Sequence, residues 1–144
     1  MRMNIKLTNV PCPAYAKAGD AAFDLTLNLD SPVTLQPDQT VKISTGIAME
    51  IPEGHFGMMV PRSSLAKRNL MLANTMGIID SSYRGEVLAV IRNIGTTEEV
   101  LNPHDRLFQM VILPFTQVSF HPVEELSATS RGEGGFGSTD TQVA

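Results

Sequence analysis

A two-residue period of apolar side chains runs through Val41-Lys-Ile-Ser-Thr-Gly-Ile-Ala-Met-Glu-Ile51. Successive side chains of a β-strand point to opposite faces, so this stretch predicts a long strand with one buried face. The same alternation runs through residues 23–29. Three further runs are more continuously apolar, as expected for central strands of a sheet: residues 56–60, 87–91 and 107–113.

Turn-forming sequences separate these runs. They are Gln36-Pro-Asp38, Ile51-Pro-Glu-Gly54, Gly95-Thr-Thr97 and Asn102-Pro-His-Asp105. Short strands divided at this spacing predict an all-β fold, which would be an antiparallel sandwich, a jelly roll or a barrel. The chain contains no internal repeat and no sign of a second domain.

One segment departs from the strand pattern. Ser63-Ser-Leu-Ala-Lys-Arg-Asn69 predicts a short helix with Ser63 as its N-cap, and Lys67 and Arg68 fall near its C-terminus, where cations are favoured. Amides at the start of such a helix attract anions, and Arg62 directly precedes them. Taken alone, a capped helical turn on the surface explains the segment equally well.

Composition limits the possible functions. The chain has 144 residues, 42% of them hydrophobic, and a net charge of −4, which argues against nucleic acid as the main partner. The single Cys12 permits no internal disulfide, which favours the cytoplasm, or the host cytoplasm for a viral protein. We also expect no signal peptide and no membrane span. The three histidines lack the spacing of zinc ligands.

The last eighteen residues, 127–144, are rich in glycine and hydroxyl side chains and cannot bury enough apolar surface to order themselves. Their glycine amides, hydroxyls and Arg131 suit phosphate oxygens, and Phe136 suits a flat base. Gly132, Gly134 and Gly137 match the dinucleotide fingerprint literally, but that motif needs a strand before it and a helix after it. A flexible tail without a ligand is the alternative.

A second cluster is Asn74-Thr-Met-Gly-Ile-Ile-Asp-Ser-Ser-Tyr-Arg-Gly-Glu-Val87. Asp80 follows two apolar residues and precedes a turn, where a carboxylate could orient or deprotonate a water molecule. Tyr83 offers a flat face with a polar tip. Without other evidence, an ordinary β-hairpin with an aspartate in its turn explains the cluster.

Together these segments resemble the trimeric deoxyuridine triphosphate nucleotidohydrolases, or dUTPases. All five motifs of that family have counterparts in order: Ala18-Gly-Asp-Ala-Ala-Phe-Asp-Leu25, Pro61-Arg-Ser-Ser-Leu-Ala66, Gly77-Ile-Ile-Asp-Ser-Ser-Tyr-Arg-Gly-Glu86, Arg106-Leu-Phe-Gln-Met-Val-Ile-Leu-Pro114 and Arg131-Gly-Glu-Gly-Gly-Phe-Gly-Ser-Thr139. The chain departs from the pattern at Asp20, Ala22, Ser64 and Ser82. Ser64 replaces a glycine of the family pattern, and if that position contributes its backbone amide, serine can do so without strain in the first turn of a helix.

The resemblance implies an all-β, antiparallel jelly-roll or β-clip barrel with one short helix. Residues 1–126 would form the body, and residues 127–144 a flexible arm that closes over the active site of a neighbouring subunit in a homotrimer. The implied reaction is hydrolysis of dUTP to dUMP and pyrophosphate, which limits uracil in DNA and supplies dUMP for dTMP synthesis. Asp80 would activate the water that attacks the α-phosphorus. Mg²⁺ would assist, held mainly by phosphates and waters and touched by Asp24 through water.

The resemblance also implies a set of substrate-binding residues. Positions for the phosphates are Arg62, Ser63, Ser64, Gln109 and Arg131. Positions for the uracil slot and the deoxyribose are Asn74, Gly77, Ile78, Ile79, Tyr83 and Leu88. The arm would add Phe136 over the base, with Gly137, Ser138 and Thr139. Tyr83 would pack under the deoxyribose and exclude a 2′-hydroxyl.

Two rival functions remain open on sequence grounds. dCTP deaminase, or a bifunctional relative, shares the fold, but the position of its catalytic glutamate holds Val90 here, and the nearest acid, Glu86, falls in the hairpin turn. A regulatory module that binds dUTP as a signal is the rival from another class. Release of ammonia from dCTP would favour the first rival, and a pull-down with and without dUTP would test the second.

Overall fold

The computed structural model describes residues 1–135 and contains ten β-strands and one short 3₁₀ helix. The elements in chain order are β1 (Asn4–Leu7), β2 (Ala22–Leu25), β3 (Val33–Leu35), β4 (Thr40–Glu50), β5 (His55–Pro61), the helix (Ser63–Lys67), β6 (Leu70–Leu72), β7 (Gly77–Ile79), β8 (Glu86–Asn93), β9 (Glu99–Leu101) and β10 (Phe108–Pro114). The predicted all-β jelly roll is confirmed.

Two four-stranded antiparallel sheets enclose the core. One has the strand order β1-β4-β8-β6 and the other β2-β10-β5-β7, while β3 and β9 form a separate pair. The strands predicted to be central from their continuous apolar runs, β5, β8 and β10, do have a neighbour on each side. Side chains from both sheets meet in one buried cluster that includes Leu25, Ile47, Met59, Ile91 and Phe108.

The long alternating stretch forms β4, and its odd-numbered side chains from Ile43 to Met49 are buried as predicted. A bulge interrupts its pairing with β8 between Ser44 and Ala48. Gly46 lies in this bulge with a φ of 69°, and a Cβ at this position would lie 2.5 Å from the carbonyl oxygen of Thr8. Glycine is therefore required at position 46 by both its conformation and its surroundings.

Two local expectations are wrong. The alternation over residues 23–29 is regular strand only at Ala22–Leu25, although Leu27 beyond it is still buried. Ser63 is the first residue of the helix rather than its N-cap, because Arg62 occupies the cap position in extended conformation and its side chain makes no capping hydrogen bond. The helix is a single 3₁₀ segment in which only Leu65 is buried.

Among residues 1–135, no helix combines the length and the apolar character needed to cross a lipid bilayer.

Candidate active site

The first half of the candidate site lies where β2, β5 and β10 run side by side. Gln109 on β10 is paired with Asp24 on β2 and with Val60 on β5. The Gln109 side chain donates from Nε2 to the carbonyl oxygen of Pro61 at 3.1 Å. This sheet register brings the first, second and fourth sequence motifs together, although they are far apart along the chain.

Asp24 is the centre of an ion-pair cluster. Its Oδ1 lies 2.8 Å from Nε of Arg62, and its Oδ2 lies 3.3 Å from Nη1 of Arg106. Arg62 also donates from Nη1 to the carbonyl oxygen of Arg106 at 2.9 Å. Two guanidinium groups share one carboxylate, so the cluster keeps a net positive charge that suits a phosphate chain.

A cavity of about 490 Å³ opens beside this cluster, and Asp24, Arg62, Ser63 and Gln109 line it. Ser64 is exposed next to Ser63, and the first amides of the helix have no acceptor within the helix itself. The structure therefore brings together four of the residues predicted to contact phosphate or metal, with Ser64 as their immediate neighbour. We call this region the phosphate half.

The second half of the site is the loop between β7 and β8. The sequence suggests a β-hairpin here, but that expectation is wrong, because β7 pairs with β5 in one sheet and β8 pairs with β4 and β6 in the other. A turn in this loop is closed by a hydrogen bond from the Tyr83 amide to the Asp80 carbonyl oxygen at 3.1 Å. The Tyr83 hydroxyl donates to the carbonyl oxygen of Glu86 at 3.0 Å, which holds the ring along the loop. The Asp80 side chain is exposed.

A smaller cavity of about 230 Å³ lies against this loop and is lined by Ile78, Ile79, Asp80, Tyr83, Glu86, Val87 and Leu88. Three of these apolar or aromatic side chains are strongly exposed, namely Ile78, Tyr83 and Leu88. We call this region the base half. Asn74 and Gly77 were predicted to line the same slot, but Asn74 lies in the turn before β7, Gly77 is buried against Met59, and neither lines this cavity.

One chain does not bring the two halves together. Ile79, next to Asp80, lies opposite Gly57 on β5. Arg62 comes five residues after Gly57, which is about 16 Å along an extended chain at roughly 3.3 Å per residue. The two cavities also have no lining residue in common. On one chain the two halves are therefore separate regions of the surface.

Residues 115–135 contain no helix or strand. Arg131 is exposed and donates from Nε to the carbonyl oxygen of Gly134 at 2.9 Å, so the described part of the chain does not place it beside either half. Phe136, Gly137, Ser138 and Thr139 lie outside the described residues.

Sequence reasoning missed two residues of the site. Arg106 directly precedes the apolar run 107–113, which includes most of β10. A cation at the start of a central strand was a sequence signal that could have identified it. Glu86 was considered only as a poor candidate for a deaminase acid. The structure places Glu86 at the start of β8 rather than in a hairpin turn. Its Oε1 accepts hydrogen bonds from the Gly46 amide at 2.6 Å and from the Ser44 hydroxyl, so it ties the start of β8 to the β4 bulge.

The position where a deaminase would need its glutamate is Val90, which lies on β8 opposite Lys42 of β4. A valine at this position cannot transfer a proton.

The residues of the phosphate half can be compared with the oxygen ligands that Mg²⁺ prefers. Within residues 1–135, no group of three or more His, Cys, Asp or Glu side chains has the arrangement of a metal site. Both Asp24 oxygens face arginines. These residues fit a Mg²⁺ ion held by phosphates and water, which a single carboxylate touches through a water molecule.

Comparison with known proteins decides the family. The family model of the dUTPases matches residues 8–140. The chain belongs to the dUTPase family. It is 43% identical over 145 residues to the deoxyuridine 5′-triphosphate nucleotidohydrolase of Burkholderia cenocepacia, covering 96% of this chain and 98% of that protein. Identity and coverage are the same for the enzyme of Paraburkholderia phymatum. This dUTPase is therefore an enzyme that hydrolyses dUTP.

Solved structures agree with the family assignment. A dUTPase variant of Staphylococcus bacteriophage 80alpha with dUpNHpp has a TM-score of 0.87 at 25% identity, covering 96% of this chain and 98% of that one. A dUTPase variant of phage phi11 of S. aureus, which coordinates a structural Mg(II) ion, has a TM-score of 0.79 at 23% identity, covering 89% of this chain and all of that one. The second likeness bears on the fold alone.

Proposed function

We propose that Asp80 is the general base of dUTP hydrolysis. Its carboxylate orients a water molecule and takes its proton as the water oxygen attacks the α-phosphorus. The bond from the α-phosphorus to the bridging oxygen breaks, and pyrophosphate leaves while dUMP remains. The observation that carries this assignment is the placement of an exposed carboxylate at the edge of a small apolar slot beside Tyr83.

The phosphate half binds the triphosphate. Arg62, Ser63, the Ser64 amide and Gln109 supply positive charge and donors, which phosphoryl transfer needs more than covalent help from the protein. The net positive charge of the Asp24 cluster supports this role. Mg²⁺ would neutralise charge that develops on the phosphate oxygens. Asp24 would orient one water of its hydration shell.

The base half selects uracil and deoxyribose. Ile78 and Leu88 would cover the faces of the base, while main-chain groups between β7 and β8 would pair with its edge. Cytosine presents an amino donor where uracil presents an acceptor, so its binding would leave buried groups unpaired. The Tyr83 ring would lie under the sugar and leave no room for a 2′-hydroxyl.

We propose that the active enzyme is a homotrimer in which one subunit's phosphate half faces a neighbour's base half. Two observations support this. On one chain Arg62 comes about 16 Å along the strand after Gly57, the residue opposite Ile79 of the base half, at a rise of roughly 3.3 Å per residue. Residues 115–126 expose Phe115, Val118, Phe120, Val123 and Leu126, and such a concentration of apolar side chains is typical of an interface. Residues 127–144, the arm, would then close over the neighbour's site.

A cytoplasmic location is part of the same proposal, because an exposed, unpaired Cys12 suits a reducing compartment. Macromolecular partners such as nucleic acid are not needed for this reaction.

The test is release of pyrophosphate from dUTP, dTTP, dCTP and UTP in the presence of Mg²⁺, with ammonia measured in parallel. We expect rapid release from dUTP alone and no ammonia. Asp80→Asn is the matched control, since it keeps the shape of the side chain. Pyrophosphate release by this variant at the parental rate would refute Asp80 as the base, and ammonia from dCTP would refute hydrolysis as the sole reaction.

A further inference from the structure

Arg68 makes the densest set of side-chain bonds in the described part of the chain, yet it lies outside both halves of the site. It is the first residue after the 3₁₀ helix. Its Nε and Nη2 donate to the same Glu99 oxygen, Oε2, at 2.9 Å and 2.8 Å, and Nη2 also donates to the Val100 carbonyl oxygen at 2.6 Å. The opposite edge of the guanidinium reaches Asp105, with Nη1 3.4 Å from Oδ2.

The other Glu99 oxygen completes the connection. Oε1 accepts a hydrogen bond from the Asn69 amide at 2.9 Å, so one carboxylate on β9 binds both residues that follow the helix. Partial burial would raise the pKa of Glu99, but the Asn69 amide and the Arg68 guanidinium outweigh this effect and lower that pKa below its ordinary value. The Arg68 amide in turn donates to Leu65 at 2.9 Å and closes the last turn of the helix.

The start of the helix is bound to the segment between β9 and β10, the segment that also contains Asp105. The Arg62 amide donates to the Leu107 carbonyl oxygen at 2.9 Å, and Arg62 Nη1 donates to the Arg106 carbonyl oxygen, also at 2.9 Å. Asp105, which Arg68 contacts, is the residue directly before Arg106. Both ends of the helix are therefore fixed on one segment, the start through Arg62 and the end through Arg68.

A helix of this kind needs such fixation. Five residues of 3₁₀ geometry have little stability of their own, and only Leu65 anchors this helix in the core. The Arg68 and Glu99 side chains are only 25% and 14% exposed, so their charges are partly removed from water and are costly to separate. Lysine could supply the charge but not the fork of parallel donors.

We infer that Arg68 is a positioning residue for triphosphate binding: it holds the helix that carries Ser63 and Ser64 in register with Arg62 and Arg106. This inference rests on the proposed phosphate half. It differs from a purely structural role in one respect. Loss of Arg68 should weaken ligands that carry the β- and γ-phosphates far more than ligands that lack them.

The experiment compares the affinities of dUpNHpp and dUMP by calorimetry, with kcat and KM for dUTP measured alongside. The variants are Arg68→Ala, Arg68→Lys, Arg62→Ala as the reference for direct phosphate contact, and Arg92→Ala as the matched control. Arg92 also pairs with a carboxylate, at 3.1 Å from Asp38, but the two side chains are 48% and 83% exposed and lie away from both cavities.

We expect Arg68→Ala to weaken dUpNHpp relative to dUMP by roughly tenfold or more, since a displacement of about 1 Å can cost a hundredfold in a well-positioned site. Arg68→Lys should recover part of this loss, and Arg92→Ala should show none. An equal loss for both ligands, or no loss, would overturn the inference. If Arg68→Ala does not fold, an unchanged ligand ratio in Arg68→Lys overturns it instead. An unchanged ratio in Arg62→Ala would refute the phosphate half itself.

Discussion

The phosphate half and the base half are built from opposite kinds of interaction. The phosphate half is polar and already paired, since Asp24 binds both Arg62 and Arg106. The base half is a loop between two sheets with exposed apolar side chains, and it is shaped by hydrogen bonds that Tyr83 makes to main-chain oxygens. Ion pairs position the side chains of the phosphate half, and backbone hydrogen bonds position the loop of the base half. Each arrangement suits the part of the nucleotide that it would bind.

This difference also explains why neither half is complete. A positive cluster attracts any phosphate chain, and it carries no information about the base. An apolar slot of about 230 Å³ recognises a flat ring but has too little surface for tight binding alone. A nucleotide carries both a flat base and a phosphate chain, so the two halves suit different parts of one ligand.

The largest effect that we expect comes from Asp80, the group of the base half that would activate the water attacking the α-phosphorus. Asp80→Asn should lower kcat by about 10²–10⁴-fold, the usual contribution of a general base, while dUpNHpp still binds. Single-turnover rates and calorimetry measure the two quantities. A variant that loses binding together with turnover would show that Asp80 belongs to the recognition surface instead.

The next effect concerns the arm, which would cover both halves at once. Deletion of residues from Arg131 onward should reduce turnover by roughly a hundredfold, because the nucleotide would no longer be held in reactive geometry. The subunit assembly should persist, which light scattering would show. Full turnover by the shortened chain would mean that the two halves suffice without a cover.

A smaller effect should separate sugar recognition from phosphate binding. Tyr83→Ala should reduce the preference for dUTP over UTP by roughly tenfold, because removal of the ring opens space for a 2′-hydroxyl. Tyr83→Phe keeps the ring, loses the hydrogen bond to Glu86 and serves as the control. The ratio of kcat/KM for the two substrates is the measurement. A preference that is unchanged in Tyr83→Ala would remove Tyr83 from sugar recognition.

Local patterns in the sequence were sufficient for most of the fold. The period of two predicts β4, and the apolar runs predict β5, β8 and β10, because burial of one face or both faces dictates those patterns. The bulge at Gly46 and the extended Arg62 were not predictable in this way. They depend on Thr8 and Leu107, which approach only in the folded chain.

The site was predictable to a different extent. Motif resemblance identified Asp24, Arg62, Ser63 and Gln109, and the fold brings these residues to one cavity. The ion pairs and anchors around them join residues that are distant in sequence. Arg68 and Glu99 are 31 positions apart, and Ser44 and Glu86 are 42. No local spacing rule reports such partners, so the supporting residues emerged only from the structure.

The smallest effect that we expect tests how charge holds the phosphate half. Partial burial raises the pKa of Glu99, but its bonds to the Asn69 amide and to Arg68 lower it by more, so its pKa in the folded chain lies below the ordinary value. Ionised Glu99 therefore stabilises the fold above the ordinary pKa, and this contribution is lost as the pH falls through the folded pKa. Glu99→Gln keeps the size of the side chain and should cost roughly 1.5–3 kcal/mol at neutral pH, the range for hydrogen bonds to charged groups. Thermal unfolding of parent and variant should differ most above pH 5 and converge in acid.

An equivalent variant on an exposed pair, Asp38→Asn, should show little difference at any pH. A gap between parent and Glu99→Gln that widened on acidification would contradict the sign of this coupling, because protonation would then favour the folded parent.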